Sequence, residues 1–210
     1  MNHRTACLLL SMTAAAAGAT AQTAPANPTT AATGTRPTPR PQPRPSMKRV
    51  AVPVDAVSID DGDTVNIRWS ADDVEIVRIL GIDTPETRHV AHDIPYSQPF
   101  GSEARAFARG VFAATEKIEL LRAATIDPYG RTLGYVFVDG KNFSVLIVKG
   151  HLAEESVTRY GDNGFPAEAS EVSAAAKAAG PLPFEAPGIY RARMREVMRA
   201  LRERGEAPEE

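Results

Sequence analysis

Apolar residues recur along this chain first at every second position and later at every third or fourth, and the change of period lays out its elements. Arg49 to Ile59 is rich in valine and alternates in part, which predicts a first strand. Asp60-Asp61-Gly62-Asp63 is a turn signal, after which Val65, Ile67 and Trp69 fall on one face of a strand from Thr64 to Trp69. Ser70 to Asp73 is a second polar turn, and Val74 to Ile82 reads as a third strand. Strands joined by turns this short form a meander, whose natural pairing is antiparallel. Asp83 to Phe100 has no regular period and carries Pro85, Pro95 and Pro99, so it is predicted to be a loop.

From Ser102 to Ala114 the period becomes helical, with Ala104, Phe107, Ala108 and Val111 on one face and Ser102 as the expected N-cap. Lys117 to Leu121 and Thr132 to Val138 are two further strands, with Asp127-Pro128-Tyr129-Gly130 as the turn before the second and Asp139-Gly140 closing it. Asn142 is placed to cap a short helix through Val148 that Gly150 ends. Glu168 to Ala179 reads as another helix, Gly180-Pro181-Leu182-Pro183 breaks the chain, and Ile189 to Arg204 is a strongly basic last helix. The fold class is α+β, mainly β: a five-stranded OB-type β-barrel with about three helices.

Composition changes the picture chiefly at the N-terminus. Met1 to Ala21 has a weakly positive start at His3 and Arg4, a short apolar stretch from Ala6 to Ala17, and small residues at Ala19-Thr20-Ala21. That is the pattern of a cleavable signal peptide, too short and alanine-rich for a membrane span. Cys7, the only cysteine, lies inside it, so the processed protein has no thiol and hence no disulfide, cysteine metal site or cysteine nucleophile. Residues 22–47 are Thr, Ala and Pro with Arg36, Arg40 and Arg44 spaced along them, a stiff, mildly basic linker unable to build a core. The expected folded domain is 48–190, starting near Met47 to Val50, followed by a basic helix and acidic tail over 191–210. A formal net charge of −2 with 24% charged residues excludes a disordered chain and a strongly basic DNA-coating protein. The expectation is a secreted or periplasmic monomer with no stable membrane insertion after processing.

The candidate chemistry lies in an ordered set of segments. Asp60-Asp61-Gly62-Asp63-Thr64 enters a strand; Arg78 interrupts an otherwise apolar strand that runs into Asp83-Thr84-Pro85-Glu86-Thr87; Tyr129-Gly130-Arg131 precedes another strand; and a helix brings Glu103 after the loop. Taken singly, Asp63 and Asp83 read as turn residues and Arg78 as an outward strand arginine. An odd separation sends Arg78 and Asp83 to opposite faces of a flat strand, so a bulge or strand end near Gly81 is required to bring them together.

In that order these segments resemble the staphylococcal nuclease family over roughly Val50 to Tyr160, with a fainter echo at Gly188-Ile189-Tyr190. The resemblance implies a Ca2+ site with Asp63 and Asp83 as carboxylate ligands and Thr84 offering its carbonyl, a set of hard oxygen donors suited to calcium. It implies that Arg78 and Arg131 grip the phosphate, because a planar guanidinium pairs with two phosphate oxygens and stays charged. Glu86 is implied to accept a proton from, or to orient, an attacking water. The implied substrates are DNA and/or RNA, cleaved to 3′-phosphate and 5′-hydroxyl ends, with Tyr129 available to pack against a nucleotide and Tyr160 standing in for the usual base-stacking tyrosines. His89, His92 and His151 are assigned no role. The loop from Arg88 to Phe100 lacks the family's lysines and Pro128 replaces another, so weaker, more salt-sensitive binding is expected. Two other readings stand beside this one: a nucleic-acid-binding OB module at the cell surface without catalysis, and a surface interaction protein using the tether and the basic tail.

Overall fold

The computed structural model of this chain describes residues 40–209. The expected signal peptide, and the linker before Arg40, lie outside the described residues. Eight strands form one sheet: β1 (Arg40–Pro41), β2 (Arg49–Val52), β3 (Val57–Ile59), β4 (Thr64–Ser70), β5 (Asp73–Ile79), β7 (Ile118–Ile126), β8 (Thr132–Val138) and β9 (Lys141–Asn142). A separate two-stranded ladder pairs β6 (Ile82–Asp83) with β10 (Glu154–Glu155). The pairing path runs β1-β7-β8-β5-β4-β3, with β2 beside β7 and β9 beside β8. The meander β3-β4-β5 is antiparallel, as its short turns require, and β5 meets β8 in parallel.

The expected single strand from Arg49 to Ile59 is two strands. Pro53 has no amide to donate to a ladder, and a 3₁₀ turn at Val54–Ala56 carries the chain from the edge of β7 to the edge of β4. No ladder joins β2 to β3 among the described residues, so strand pairing leaves the barrel open. The described residues hold five α-helices rather than about three: α1 (Gly101–Ala114), α2 (Phe143–Lys149), α3 (Val157–Tyr160), α4 (Pro166–Ala179) and α5 (Pro187–Glu203). Paired structure is also present ahead of Met47. Arg40–Pro41 pairs with the end of β7, the Gln42 amide donates to the Ala124 carbonyl at 2.9 Å, and Arg44 pairs with Asp73. β7 itself runs on to Ile126, past the expected end at Leu121, because this N-terminal strap supplies partners for its extension.

The sheet encloses Val65, Ile67, Val77, Ile79, Ile118, Leu120 and Val136, and α1, α2 and α4 cover it with Ala104, Ala108, Phe112, Phe143, Ile147 and Val172. Strict alternation in β5 turns Val77 and Ile79 inward and Val74 and Ile76 outward, and it drives Glu75 into the core at 4% exposure. Glu75 accepts hydrogen bonds from Arg122 Nε and Nη2 (2.8 Å each), Thr132 Oγ1 (2.6 Å) and Trp69 Nε1 (2.7 Å). Burial alone would raise its carboxyl; those donors outweigh burial and hold it below the ordinary range.

Asn142 caps α2 as expected, accepting from the Ser144 amide at 3.0 Å. The N-cap of α1 is not Ser102. The helix starts at Gly101 after a left-handed Phe100, and the Ser102 hydroxyl bonds the exposed Glu103 carboxylate at 2.8 Å. Packing sets this start: a Cβ on Gly101 would lie 2.3 Å from the Glu86 carbonyl oxygen.

Candidate active site

Local turn chemistry places the first carboxylate. The amides of Asp60 and Asp61 both donate to the Thr64 carbonyl, and Asp61 Oδ1 accepts from the Asp63 amide at 3.0 Å, so Asp63 is locked at the mouth of β4. Cross-strand register then puts Thr64 opposite Arg78 in β5. β5 ends at Ile79, Gly81 turns the chain at φ +82°, and Asp83 follows on β6. This strand end near Gly81 resolves the odd separation, and Arg78 meets carboxylates from both directions. Its Nη1 lies 2.9 Å from Asp63 Oδ1, and its Nη2 donates to Asp83 Oδ1 at 3.1 Å. One guanidinium therefore bridges aspartates that arrive on separate turns. Thr84 closes the arrangement: its amide and hydroxyl donate to Asp63 Oδ2 at 2.8 and 3.0 Å.

Glu86 follows in the same loop. Its amide donates to Gln98 Oε1 (3.2 Å) and its carbonyl accepts from the Gln98 amide (2.8 Å), so two segments of the loop brace it. A further cation comes from α5. Arg191 forks onto Asp83, with Nη1 to Oδ1 at 3.0 Å and Nη2 to Oδ2 at 2.7 Å, and its Nη1 also bonds Glu86 Oε1.

The site is rich in buried negative charge. Asp63 and Asp83 are 5% and 3% exposed. Burial pushes the Asp63 carboxyl up to about 7, with Asp61 and Asp83 adding to the rise and Arg78 opposing it. Asp61 and Glu86 are also raised, burial again being the main cause. Carboxylates in this condition favour a divalent cation among them. The donor set fits one in kind, because every candidate ligand is a hard oxygen. Among the described residues no three His, Cys, Asp or Glu side chains gather closely enough to hold a metal by themselves, so carbonyls, water or phosphate must complete any shell.

The remaining expected residues divide. Tyr160, 57% exposed, rims a cleft of about 350 Å³ that also reaches Asp83, Glu154, Ser156 and Arg159. Arg131 is turned back on its own loop: its amide and Nε donate to the two Asp127 carboxylate oxygens at 2.8 and 2.7 Å, and its guanidinium stands 5.7 Å from the Tyr129 ring centroid. Tyr129 is 86% exposed; its amide donates to Asp127 Oδ1 at 2.9 Å, and its ring faces Arg131. Glu103 stays outside the site on the surface of α1. His89 and His92 stack on one another in the exposed loop.

Sequence reasoning missed Arg191 and the bracing by Gln98. The Gly188-Ile189-Tyr190 echo stood directly beside Arg191. Five other arginines in the same basic segment, at Arg193, Arg195, Arg199, Arg202 and Arg204, gave no local signal that this one turns inward.

Residues 76–180, half of the 210-residue chain, match the family described as staphylococcal nuclease homologue. Over 94 residues, 44% of this chain, the sequence is 35% identical to the SPbeta prophage-derived endonuclease YokF of Bacillus subtilis (strain 168), 30% of which is covered. Segments of the same length are 39% identical to a thermonuclease of Staphylococcus intermedius, 53% of it covered, and 33% identical to endonuclease YncB of Bacillus subtilis (strain 168), 43% of it covered. The chain thus spans between about a third and a half of these relatives. Arg78, Asp83, Thr84, Glu86, Tyr129, Arg131 and Tyr160 lie within the matched residues; Asp63 and Arg191 lie outside them and join the site through the fold.

Proposed function

This chain belongs to the staphylococcal nuclease family, and from that premise we propose that it is an exported, calcium-dependent endonuclease hydrolysing phosphodiester bonds of DNA and/or RNA. The observation that carries this reading is the Arg78 bridge between Asp63 and Asp83, with Glu86 braced beside it. Asp63 and Asp83 would hold the calcium ion, with Thr84 adding its carbonyl. Bound there, the ion supplies positive charge to phosphate oxygens and to an attacking water. Arg78, already oriented by two carboxylates, presents its guanidinium to the charge that builds on the equatorial oxygens as phosphorus becomes five-coordinate; a donor aimed at such charge typically contributes ~3 kcal/mol. Glu86 accepts the proton of the water or orients it, and the 5′ oxygen leaves, giving 3′-phosphate and 5′-hydroxyl ends.

Arg131, whose guanidinium is only partly buried, would reach a phosphate by exchanging its Asp127 partner for the phosphate oxygens. Tyr160 offers a ring to a base in the cleft beside Asp83, while Tyr129 offers one further out. The scaffold is read as an OB-type barrel in which β2 and β3, interrupted at Pro53, act as one wall strand; their partners β7 and β4, each next to one end of the pairing path, support this. Export rests on Met1 to Ala21, and the protein is taken to act as a monomer.

Plasmid digestion by protein lacking residues 1–21, with calcium and then with a chelator, tests the reading. Calcium is expected to switch cleavage on and the chelator to abolish it. Binding of the plasmid without calcium-stimulated cleavage would instead establish a binding module.

A further inference from the structure

The carboxylates that would hold the ion already hold a positive charge that the chain supplies. Arg191 takes both oxygens of Asp83 in a two-pronged fork and spans to Glu86 Oε1. Asp83 also accepts from Arg78, so three N–H donors share its two oxygens. An ionised carboxylate has about four lone-pair sites, so these donors leave Asp83 little more than one site, on Oδ2, for a divalent ion. The guanidinium and the metal therefore draw on the same carboxylate and the same negative charge, and occupancy by one weakens occupancy by the other.

Its placement gives Arg191 room to act in this way. Arg78 springs from the sheet itself, whereas Arg191 comes from the last helix, beyond the segment matched to the family. α5 has its own seat: Tyr190 and Met194 cluster with Ile94, the Tyr190 hydroxyl donates to the Tyr96 carbonyl at 2.9 Å, and Gln98 Nε2 donates to the Glu185 carbonyl just ahead of the helix. These contacts seat the helix independently of the Arg191 fork. The Arg191 side chain is 29% exposed, so its head can withdraw to water on its flexible stem. Arg193, Arg199 and Arg202 face away and pair with Glu185, Glu196 and Asp93.

We propose that Arg191 is a tethered counter-ion, a cation built into α5 that competes with calcium for Asp83 and Glu86 and so sets the calcium concentration at which the site loads. Coupling of this kind is reciprocal: calcium expels the Arg191 head, and the Arg191 head weakens calcium. The proposal rests on the calcium reading of the site.

Calorimetric titration of calcium into the full chain, its Arg191→Ala variant and an Asp83→Asn control tests it, with thermal unfolding of each protein to verify folding. The expected result is that Arg191→Ala binds calcium at least ~10-fold more tightly than the unaltered protein, because metal affinity follows the net ligand charge. Asp83→Asn is expected to lose the binding. Arg191→Gln keeps most of the side chain's length and serves if the alanine variant does not fold. Equal or weaker calcium binding by a folded Arg191 variant, beside an unaltered protein that binds calcium, overturns the counter-ion and leaves the calcium reading standing. Absence of calcium binding in every protein removes both.

Discussion

At the scale of single residues, charge and its partners decide the roles. Glu86 sits braced by Gln98 and held by Arg191, its carboxyl raised by burial, and in the proposed reaction it takes a proton from the attacking water or orients it. Glu86→Gln keeps the shape and removes the basic oxygen; turnover is expected to fall at least ~100-fold, as loss of a general base typically does, with the melting temperature little changed. Unreduced turnover would remove Glu86 from the chemistry. Glu75 carries structure instead. Its folded value is depressed, so its stabilisation is present above the unfolded-chain value of about 4.3 and is lost as the pH falls through the folded value. Glu75→Gln leaves Arg122 without its buried counter-charge and is expected to cost about 3 kcal/mol near neutral pH. Urea unfolding followed across the acid range checks both effects: the unaltered protein should lose stability below about pH 4 more steeply than the variant. These residues were unequally legible. Arg78 stood out because it interrupts an apolar run. Glu75, three residues earlier, did not, because its burial follows from alternation with Val77 and its partner Arg122 is 47 residues away.

At the scale of elements, the turns position the site. The break after β5 at Gly81 lets Arg78 and Asp83 face each other, and a Cβ there would stand 3.1 Å from the Tyr135 hydroxyl at a φ that disfavours any side chain. Gly62 lies as close to the chemistry: a Cβ would approach the Thr84 side chain to 2.8 Å, the same residue that grips Asp63. Gly62→Ala is expected to push Thr84 away from Asp63, lowering stability by about 1–2 kcal/mol and weakening calcium binding; thermal unfolding with calorimetric titration reads both. Unchanged values would show that the Asp63 turn tolerates displacement. Elements fixed by local chemistry could be read in the sequence: β8 runs from Thr132 to Val138 and Asn142 caps α2, both as expected. Elements fixed by contact could not. Gly101 rather than Ser102 begins α1 because the Glu86 backbone packs against it, and the first strand divides where Pro53 hands the chain from β7 to β4.

At the scale of the whole molecule, one sheet carries a flanking segment at each end of the described chain, and one of the two reaches the carboxylates. The N-terminal strap lies on the far edge, where Arg44 approaches Glu75 Oε2 at 3.7 Å, and α5 brings Arg191 to the site from the other end of the chain. Neither was legible, since proline-rich and arginine-rich composition describes a tether and a basic face until a fold supplies something to pack against. The surroundings are not strongly basic and the net charge is −2, so nucleic-acid affinity should rest on few phosphate contacts. A salt slope on the order of −2 to −3 is expected for oligonucleotide binding by fluorescence anisotropy, at roughly one unit per phosphate contact. A much steeper slope would mean a basic groove along the substrate and would contradict this expectation. In the proposed reaction Arg78, spanning Asp63 and Asp83, meets the phosphate as it is cleaved. Lysine keeps the charge but has no planar fork with which to pair two phosphate oxygens side by side. The most direct measurement is single-turnover cleavage of an end-labelled oligonucleotide in saturating calcium by the unaltered protein and by Arg78→Lys, with the product ends identified. The expected result is 3′-phosphate ends from the unaltered protein and a rate at least ~100-fold lower from the variant; equal rates in the two proteins would contradict this role for Arg78.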